Sequence, residues 1–424
     1  MAVGAITAAT LVVGTGTAHA EALTSIPDPV FERHLIWLGL DSGVVDGKVP
    51  TKNIANVKSL DLSNLRDLGS VWGLGGIEDF KSLETLNLTN ATSLESLTIG
   101  ENNGFLNGGT KSKLKSLILT GSKLRSLTLR GTQLTTLDLS GNVNLVYVEV
   151  ANSELSSINL RGAINIETLN LDYNKLALID LSSQANLTDL YMRGNKLTTV
   201  NLDNAPRLTR LYVGNNKLTS LNVSKNINLE YIEASKNNLK KFDVTALPKL
   251  VSLSAMDNNI SSIDLSKNTS LESLGLTSNR LKKLDISKNV GLRTLMVEDN
   301  HLRALNISTA PDLNWLSISV NNISKISLAN NEDLQIVNVA NNPIAQLDVA
   351  ALSDLLGLDI RNTKIRTLDL RNTLIQNAET AFFLEGALGL DTRGTSAKVL
   401  VNSPELARLA WQTKTGANVT FATK

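Results

Sequence analysis

No cysteine occurs in the 424 residues. Disulfide staples, thiolate metal sites, cysteine nucleophiles and thiol-linked lipid anchors are therefore excluded. Histidine is almost missing too, with only His19, His34 and His301, which removes most routes to general acid–base and zinc chemistry. Aromatic residues make up 4% of the chain, too few for a mixed globular core. Lys and Arg number 41 against 40 Asp and Glu, so the overall charge carries no footprint for nucleic acid. Beyond the first twenty residues no apolar run reaches the roughly 18 residues needed to span a bilayer.

What is abundant is leucine and asparagine, and they recur. Starting at Leu145, an apolar residue returns every 21 positions, at Ile166, Leu187, Leu208, Leu229, Leu250, Leu271, Leu292, Leu313, Leu334 and Leu355. Each unit reads L-x-x-L-x-L-x-x-N-x-L-x-x-L-x-L plus five residues, and splits into halves of 10 and 11 that each carry L-x-x-L-x-L. The L-x-L alternation predicts a short strand with its leucines pointing inward. Neither half has room for a multi-turn helix. One such unit buries too little apolar surface to offset the entropy of ordering it, so neighbouring units must stack and share a continuous leucine column. Pro206, Pro248 and Pro311 stand two residues before the first leucine of a unit, which predicts an extended turn in that arc.

This pattern resembles the leucine-rich repeat family, in its bacterial 21-residue variety with nested halves of 10 and 11 residues. The stretch "SIPDPVFERHLIWLGLDSGVVDGKV", followed by "VKSLDLSN", is similar to the N-terminal caps of secreted bacterial repeat proteins, internalin-like ones included. The resemblance runs from about residue 26 to 375. It implies a curved right-handed solenoid with a parallel β-sheet on its concave side and short extended or turn arcs on its convex side. It also implies extracellular recognition, though the fold hosts many kinds of partner. The recurrent Asn174, Asn195, Asn216, Asn237, Asn258, Asn279, Asn300, Asn321 and Asn342 match the family's structural asparagine, whose amide bonds backbone groups where the chain leaves the strand. Ser153 and Thr363 at the flanking positions predict that this ladder frays towards the ends.

The expected domain limits follow. Residues 1–20 form a signal peptide, an apolar small-residue stretch that ends in the A-x-A pattern Ala18-His19-Ala20, without a preceding Lys or Arg. Residues 21–56 form an N-terminal cap with a helix opening at Asp28-Pro29, whose Phe31, Leu35 and Leu38 cover the first leucine layer. Residues 57–375 form the repeat domain, irregular over 60–134 and regular over 145–365. Between Leu114 and Leu145 the spacing of 10, 10 and 11 through Leu124 and Leu134 suggests an extra half-unit, "LRSLTLRGTQ", and "GSVWGLGG" and "GENNGFLNGGTKSK" read as inserts. Residues 376–424 form a small α/β C-terminal cap, with "AKVLV" as a strand and Ser403-Pro404 opening a helix. Phe382, Phe383, Leu406, Leu409 and Trp411 would make its core.

If the half-units from Leu145 onward form the concave strands, their third, fifth and seventh positions face outward. All five tyrosines of the chain, Tyr147, Tyr173, Tyr191, Tyr212 and Tyr231, fall within residues 145–249. Four occupy those positions and Tyr173 lies one beyond. Around them stand Glu149, Asp172, Asp189, Arg193, Arg210 and Glu233. Tyr and Arg carry much of the binding energy at interfaces, so these residues are the candidate binding surface, with Trp315 beside Met296 as a smaller second one. The plainer alternative is that Tyr favours strands and cross-strand rings stabilise sheets. On the opposite half, Asp243, Asp264 and Asp285 stack as like charges; turn chemistry balanced by Lys267 and Lys288 accounts for them better than a cation site. "DSGVVDG" likewise lacks calcium-loop spacing. Glu149 with Asp172 or Asp189 is too weakly fixed a carboxylate pair for glycoside hydrolysis.

The expected function is a non-catalytic secreted or cell-surface module that recognises a protein ligand through its concave face. A glycan-binding module and a ligand-free spacer within a larger surface protein are the alternatives. No cofactor, metal or nucleic acid is expected, and the chain should be a monomer.

Overall fold

The computed structural model describes residues 21–63, 70–100, 111–374, 389–401 and 420–422. The chain opens with β1 (Leu23–Ser25), α1 (Pro29–Trp37), β2 (Lys48–Pro50) and the single-turn α2 (Thr51–Ile54), with β1 and β2 antiparallel. Asp28 caps α1 as expected: one carboxylate oxygen accepts from the Val30 and Phe31 N–H groups, both at 2.9 Å, satisfying donors that the helix leaves open. Its other oxygen accepts from Trp72 and Gly73 N–H at 2.7 and 3.0 Å, which pins the "GSVWGLGG" insert against the helix start. Phe31 and Leu35 are fully buried, but Leu38 is the helix C-cap and stays exposed, so it does not cover the leucine layer. Glu32 takes on an unexpected duty. It is buried and accepts from Asp46 and Gly47 N–H at 2.7 and 2.8 Å, and this clasps the "DSGVVDG" turn.

From there strands alternate between two sides of the stack. On one side run β3 (Ser59–Asp61), β4 (Thr85–Asn87), β6 (Ser116–Ile118), β8 (Thr136–Asp138) and β10 (Ser157–Asn159). On the other run β5 (Ser96–Ile99), β7 (Ser126–Arg130) and β9 (Tyr147–Ala151), followed by ten strands that recur every 21 residues from β11 (Thr168–Asn170) to β20 (Gly357–Asp359). This second set forms a 14-stranded parallel sheet on the concave side, from β5 at one end to a strand at Gly389–Asp391 at the other. The register joins residue i to i+21 through the regular part, as in Leu190↔Leu211. The inward residues therefore stack into a column whose members are almost wholly buried, Leu169, Leu190, Leu211, Ile232, Leu253 and Leu274 among them.

The supposed extra half-unit is a correction. Residues 126–130 are an ordinary concave strand paired with β5 and β9, and the half-units at Leu114 and Leu134 both lie on the opposite side. Nothing changes phase. The real irregularity is additional length between β5 and β6.

Asparagine holds the turns together. In the unit at Leu187, Asn195 Oδ1 accepts from Leu176 N–H at 3.0 Å, and its Nδ2 donates to Leu171 O at 2.9 Å in the preceding unit and to Met192 O at 3.2 Å in its own. The same set recurs at Asn237, Asn279 and Asn321. Each amide thus ties two successive units, and the buried polar group has its partners. The flanking Ser153 and Thr363 stay buried and bonded, but a hydroxyl makes fewer bonds than an amide, so cohesion thins at the ends. Immediately before the ladder position the chain turns through a left-handed residue in every regular unit, for example Gly194, Asn215, Asn341 and Val320.

A second amide column escaped the sequence reading. Asn226, Asn268, Asn289 and Asn331 are buried in the opposite arc, each donating to two carbonyls of the preceding unit at 2.6–3.2 Å. Ala205, Leu247 and Ala310 interrupt the column, which is why it hides in the sequence. Pro206, Pro248 and Pro311 lie in the expected turns of that arc. Beyond the regular units the "AKVLV" segment is a strand, Lys398–Leu400, pairing in parallel with Thr367–Asp369 and Thr420–Ala422. The helix expected at Ser403 and the residues Phe382, Phe383, Leu406, Leu409 and Trp411 lie outside the described residues.

Candidate functional site

In-register parallel strands place equivalent outward side chains about 4.8 Å apart. Tyr191 on β12 (Asp189–Tyr191) and Tyr212 on β13 (Arg210–Tyr212) are such a pair. Their rings stack with centroids 4.8 Å apart and planes 6° from parallel. The Arg193 guanidinium carbon lies 5.9 Å from the Tyr191 centroid and 5.1 Å from that of Tyr212. Arg210 sits in the same way 5.6 Å from Tyr231 on β14 (Tyr231–Glu233). Stacked rings and a cation over a ring face each contribute about 0.5–1 kcal/mol at partly exposed sites.

The carboxylates fix the arginines. Asp172 is fully buried, accepts from Arg193 N–H at 2.7 Å and Nε at 2.9 Å, and so aims the guanidinium over the tyrosines. Burial pushes the Asp172 carboxyl above its usual pKa despite the opposing pull of Arg193. Desolvation is the largest influence and works against the Arg193 charge, but the Asp172 hydrogen bond and the attraction of Asp172 together more than offset it, so that guanidinium ends above its ordinary value. Arg210 donates to Asp189 at 2.9 Å, and Thr188 Oγ1 donates to the other Asp189 oxygen at 2.7 Å. Glu149 is buried and receives Arg130 through Nε at 2.6 Å and through a terminal nitrogen at 2.7 Å, with the Tyr147 hydroxyl donating to it at 2.7 Å. Burial, helped by that carboxylate, raises the Tyr147 phenol to about 12. Burial, with Asp189 next, also raises Tyr191. These rings are therefore neutral phenols at neutral pH.

Of the expected residues, Tyr147 lies on β9, and Asp189, Tyr191, Arg193, Arg210, Tyr212, Tyr231 and Glu233 lie on or just after the three adjacent strands from β12 to β14, with β11 between the two groups; Arg210 is exposed and the others are half-buried. Glu149 and Asp172 share the patch but are buried under their arginines, which corrects the expectation that they face outward. They position other residues and are closed to a ligand. Tyr173 leaves the sheet: it is the left-handed turn residue of its unit, with φ +56°, and its ring lies against Gly194 at the sheet margin. A side chain at Gly194 would collide with that ring. The Glu233 carboxylate folds over Gly214 and accepts from Ser235 N–H at 2.9 Å. Trp315 is four strands beyond Tyr231, roughly 19 Å away by strand spacing, and belongs to a separate region. Arg130 was missed because its strand had been taken for an insertion; as the seventh position of "LRSLTLRGTQ" it occupies the same register as Asp172 and Arg193.

The patch is a surface rather than a cleft. A polar hollow of about 310 Å³ lined by Arg125, Asn144, Asn165 and Glu167, and another of about 1000 Å³ near Trp72, Phe80 and Leu97, both lie away from the stacked tyrosines. On the other arc, Asp243, Asp264 and Asp285 each accept the N–H two residues on, at 2.9 Å, so every carboxylate closes its own turn. Among the described residues no group of three or more acidic or histidine side chains is placed to hold a metal ion.

The nested half-units, the asparagine ladder and the long parallel sheet define a leucine-rich repeat solenoid. Solved structures of that fold align over most of the chain. The functional domain of InlJ from Listeria monocytogenes, described as including a cysteine ladder, is 22% identical; the match covers 90% of this chain and 82% of that one, with a TM-score of 0.61. A leucine-rich repeat protein of Leptospira interrogans is 22% identical, covering 74% of this chain and 92% of its own, with a TM-score of 0.55. The ectodomain of a plant membrane receptor kinase from Arabidopsis thaliana is 18% identical over 88% of this chain and 49% of its own, with a TM-score of 0.58. At these identities the likeness establishes the fold. No protein-family model and no curated protein matches the chain.

Proposed function

We propose that the chain is a non-catalytic recognition protein that grips a protein partner on its concave sheet, through the patch from Tyr147 to Tyr231. The observation that carries this reading is the Tyr191–Tyr212 stack held under Arg193. A sheet needs no buried aspartate to aim an arginine at two half-buried rings. An interface gains from it, because rings and guanidinium already fixed in place lose little entropy on binding. The mixed Arg, Asp and Tyr character and the open, uncleft shape suit a protein surface.

A glycan is a weaker second occupant. Sugars stack on open ring faces, and here the stacked faces of Tyr191 and Tyr212 are turned to each other, while Arg193 and Arg210 cover others. Catalysis by the carboxylate pair is disfavoured as well, since Glu149 and Asp172 each bind an arginine. The Ala18-His19-Ala20 pattern supports export, with residues 1–20 removed and the remainder acting outside the cell. Those twenty residues lie outside the described ones. Among the described residues no helix is long and apolar enough to cross a membrane.

Affinity capture with the intact chain and with the Tyr191→Ala, Tyr212→Ala double variant tests the site, followed by titration of the captured protein once purified. The double variant should bind at least thirtyfold more weakly, since one interface anchor is worth about 2 kcal/mol or more, at a nearly unchanged melting temperature. Equal affinity of the two forms would refute the assignment.

A further inference from the structure

We infer that the convex arc opposite β14 to the strand at Thr294–Met296 is a second binding surface, for a linear anionic polysaccharide. The inference is independent of the concave patch. Lys240, Lys241, Lys282 and Lys283 begin two half-units separated by two turns of the solenoid, and Lys267 and Lys288 follow on the same arc; all six are exposed. None of them lies within ion-pair distance of a carboxylate among the described residues. The stacking places Lys240 and Lys282 roughly 10 Å apart along the axis, and Lys267 and Lys288 roughly 5 Å apart. These are repeated like charges on a chain whose total charge is only +1. Such segregation is destabilising for the protein alone and is relieved by a polyanion lying along the axis.

The neighbouring carboxylates cancel only half of it. Asp243, Asp264 and Asp285 run between the lysine rows, three negative charges against six positive ones, and each closes its own turn by accepting the N–H of Thr245, Ser266 or Ser287. Their pKa values are lowered first by the Thr245 hydroxyl at Asp243 and by the backbone N–H at Asp264 and Asp285, with Lys267 and Lys288 assisting at the latter two, so all three stay ionised. The concave side of the same units is uncharged over Ser252, Ser254, Ser273, Gly275 and Thr294, so the positive field belongs to one face.

The chemistry between the lysines selects the class of polyanion. Carboxylates and the hydroxyls of Thr245, Ser266 and Ser287 alternate with the ammonium groups, and both can bond sugar hydroxyls. No aromatic side chain is exposed on this arc, Phe242 being buried, so nucleic acid bases would have no ring to stack on. Val290 is an isolated exposed apolar side chain there, too little to seat the arc in a lipid surface.

Binding of the full chain to heparin, polygalacturonate, uncharged dextran, single-stranded poly-dT and phosphatidylserine vesicles is the test. The variant replaces Lys240, Lys241, Lys282 and Lys283 by Gln; the control replaces Lys48, Lys58, Lys113 and Lys123 by Gln. The wild type should bind both charged polysaccharides in a salt-sensitive way and leave dextran unbound. The convex variant should bind at least tenfold more weakly, with a salt slope shallower by about one unit per lysine engaged, at an unchanged melting temperature. The control variant and the Tyr191→Ala, Tyr212→Ala form should match wild type. The inference is overturned if neither charged polysaccharide binds, if the control loses as much as the convex variant, or if poly-dT or vesicles bind more tightly than the polysaccharides.

Discussion

Val320 shows what the repeat demands of single residues. It occupies the left-handed turn before the ladder with φ +53°, where other units place Gly194, Asn215, Asn341 and Asn362. A β-branched side chain is strained there by about 1–2 kcal/mol, and Val320 is exposed, so no packing depends on it. Val320→Asn should stabilise the chain by about 1 kcal/mol, read as a higher denaturant midpoint at an unchanged slope. Tyr173 sits in the same conformation but leans on Gly194, so Tyr173→Asn exchanges relief of strain for lost contact. The ladder asparagines were legible in the sequence because they are unbroken. The patch was half legible: sequence position located the tyrosines, but the burial of Glu149 and Asp172 depends on arginines reaching across from adjacent strands, which spacing alone does not reveal.

Among the elements, α1 is the one whose start was readable to the residue, because Asp28 and Pro29 are local signals. What α1 packs on was not readable, and Leu38 went the wrong way for that reason. His34 of α1 is buried and stacks on Trp37 with centroids 5.5 Å apart. Burial lowers its pKa below 6.5, with Asp61 acting partly in the other direction. The unfolded chain therefore takes up the proton first as pH falls, and the folded form loses stability from pH 6.5 downward. Unfolding midpoints measured from pH 7.5 to 5 should fall with a slope that His34→Phe reduces. A midpoint profile identical in the two proteins would count against a buried, neutral imidazole. The strands, by contrast, were legible because leucine alternation is their cause. The misplaced half-unit at 124–133 arose because two identical half-unit patterns serve opposite sides, and sequence does not say which side starts.

At the scale of the whole molecule, the i to i+21 register makes each regular unit interchangeable with its neighbours. Deleting residues 250–270 would join Lys249 to Leu271 and restore the leucine column, the sheet pairing and the asparagine bonds. Stability in such arrays is close to a sum over units and their interfaces, so the shortened chain should fold with the same circular dichroism per residue and a modestly lower midpoint. Deleting residues 250–271 instead shifts every inward side chain of the following unit by one position and should abolish cooperative unfolding. The uniformity of the asparagine ladder also has a mechanical consequence. Pulled from its two ends, the chain has no single weakest seam in this ladder between Asn174 and Asn342, where each turn is fastened to the next by the same amide hydrogen bonds, and the flanking turns at Ser153 and Thr363 are weaker. Tension should peel it one turn at a time, each step trading about 5 Å of stacked height for roughly 70 Å of slack chain, so the solenoid would yield as a graded extensible tether rather than snap open.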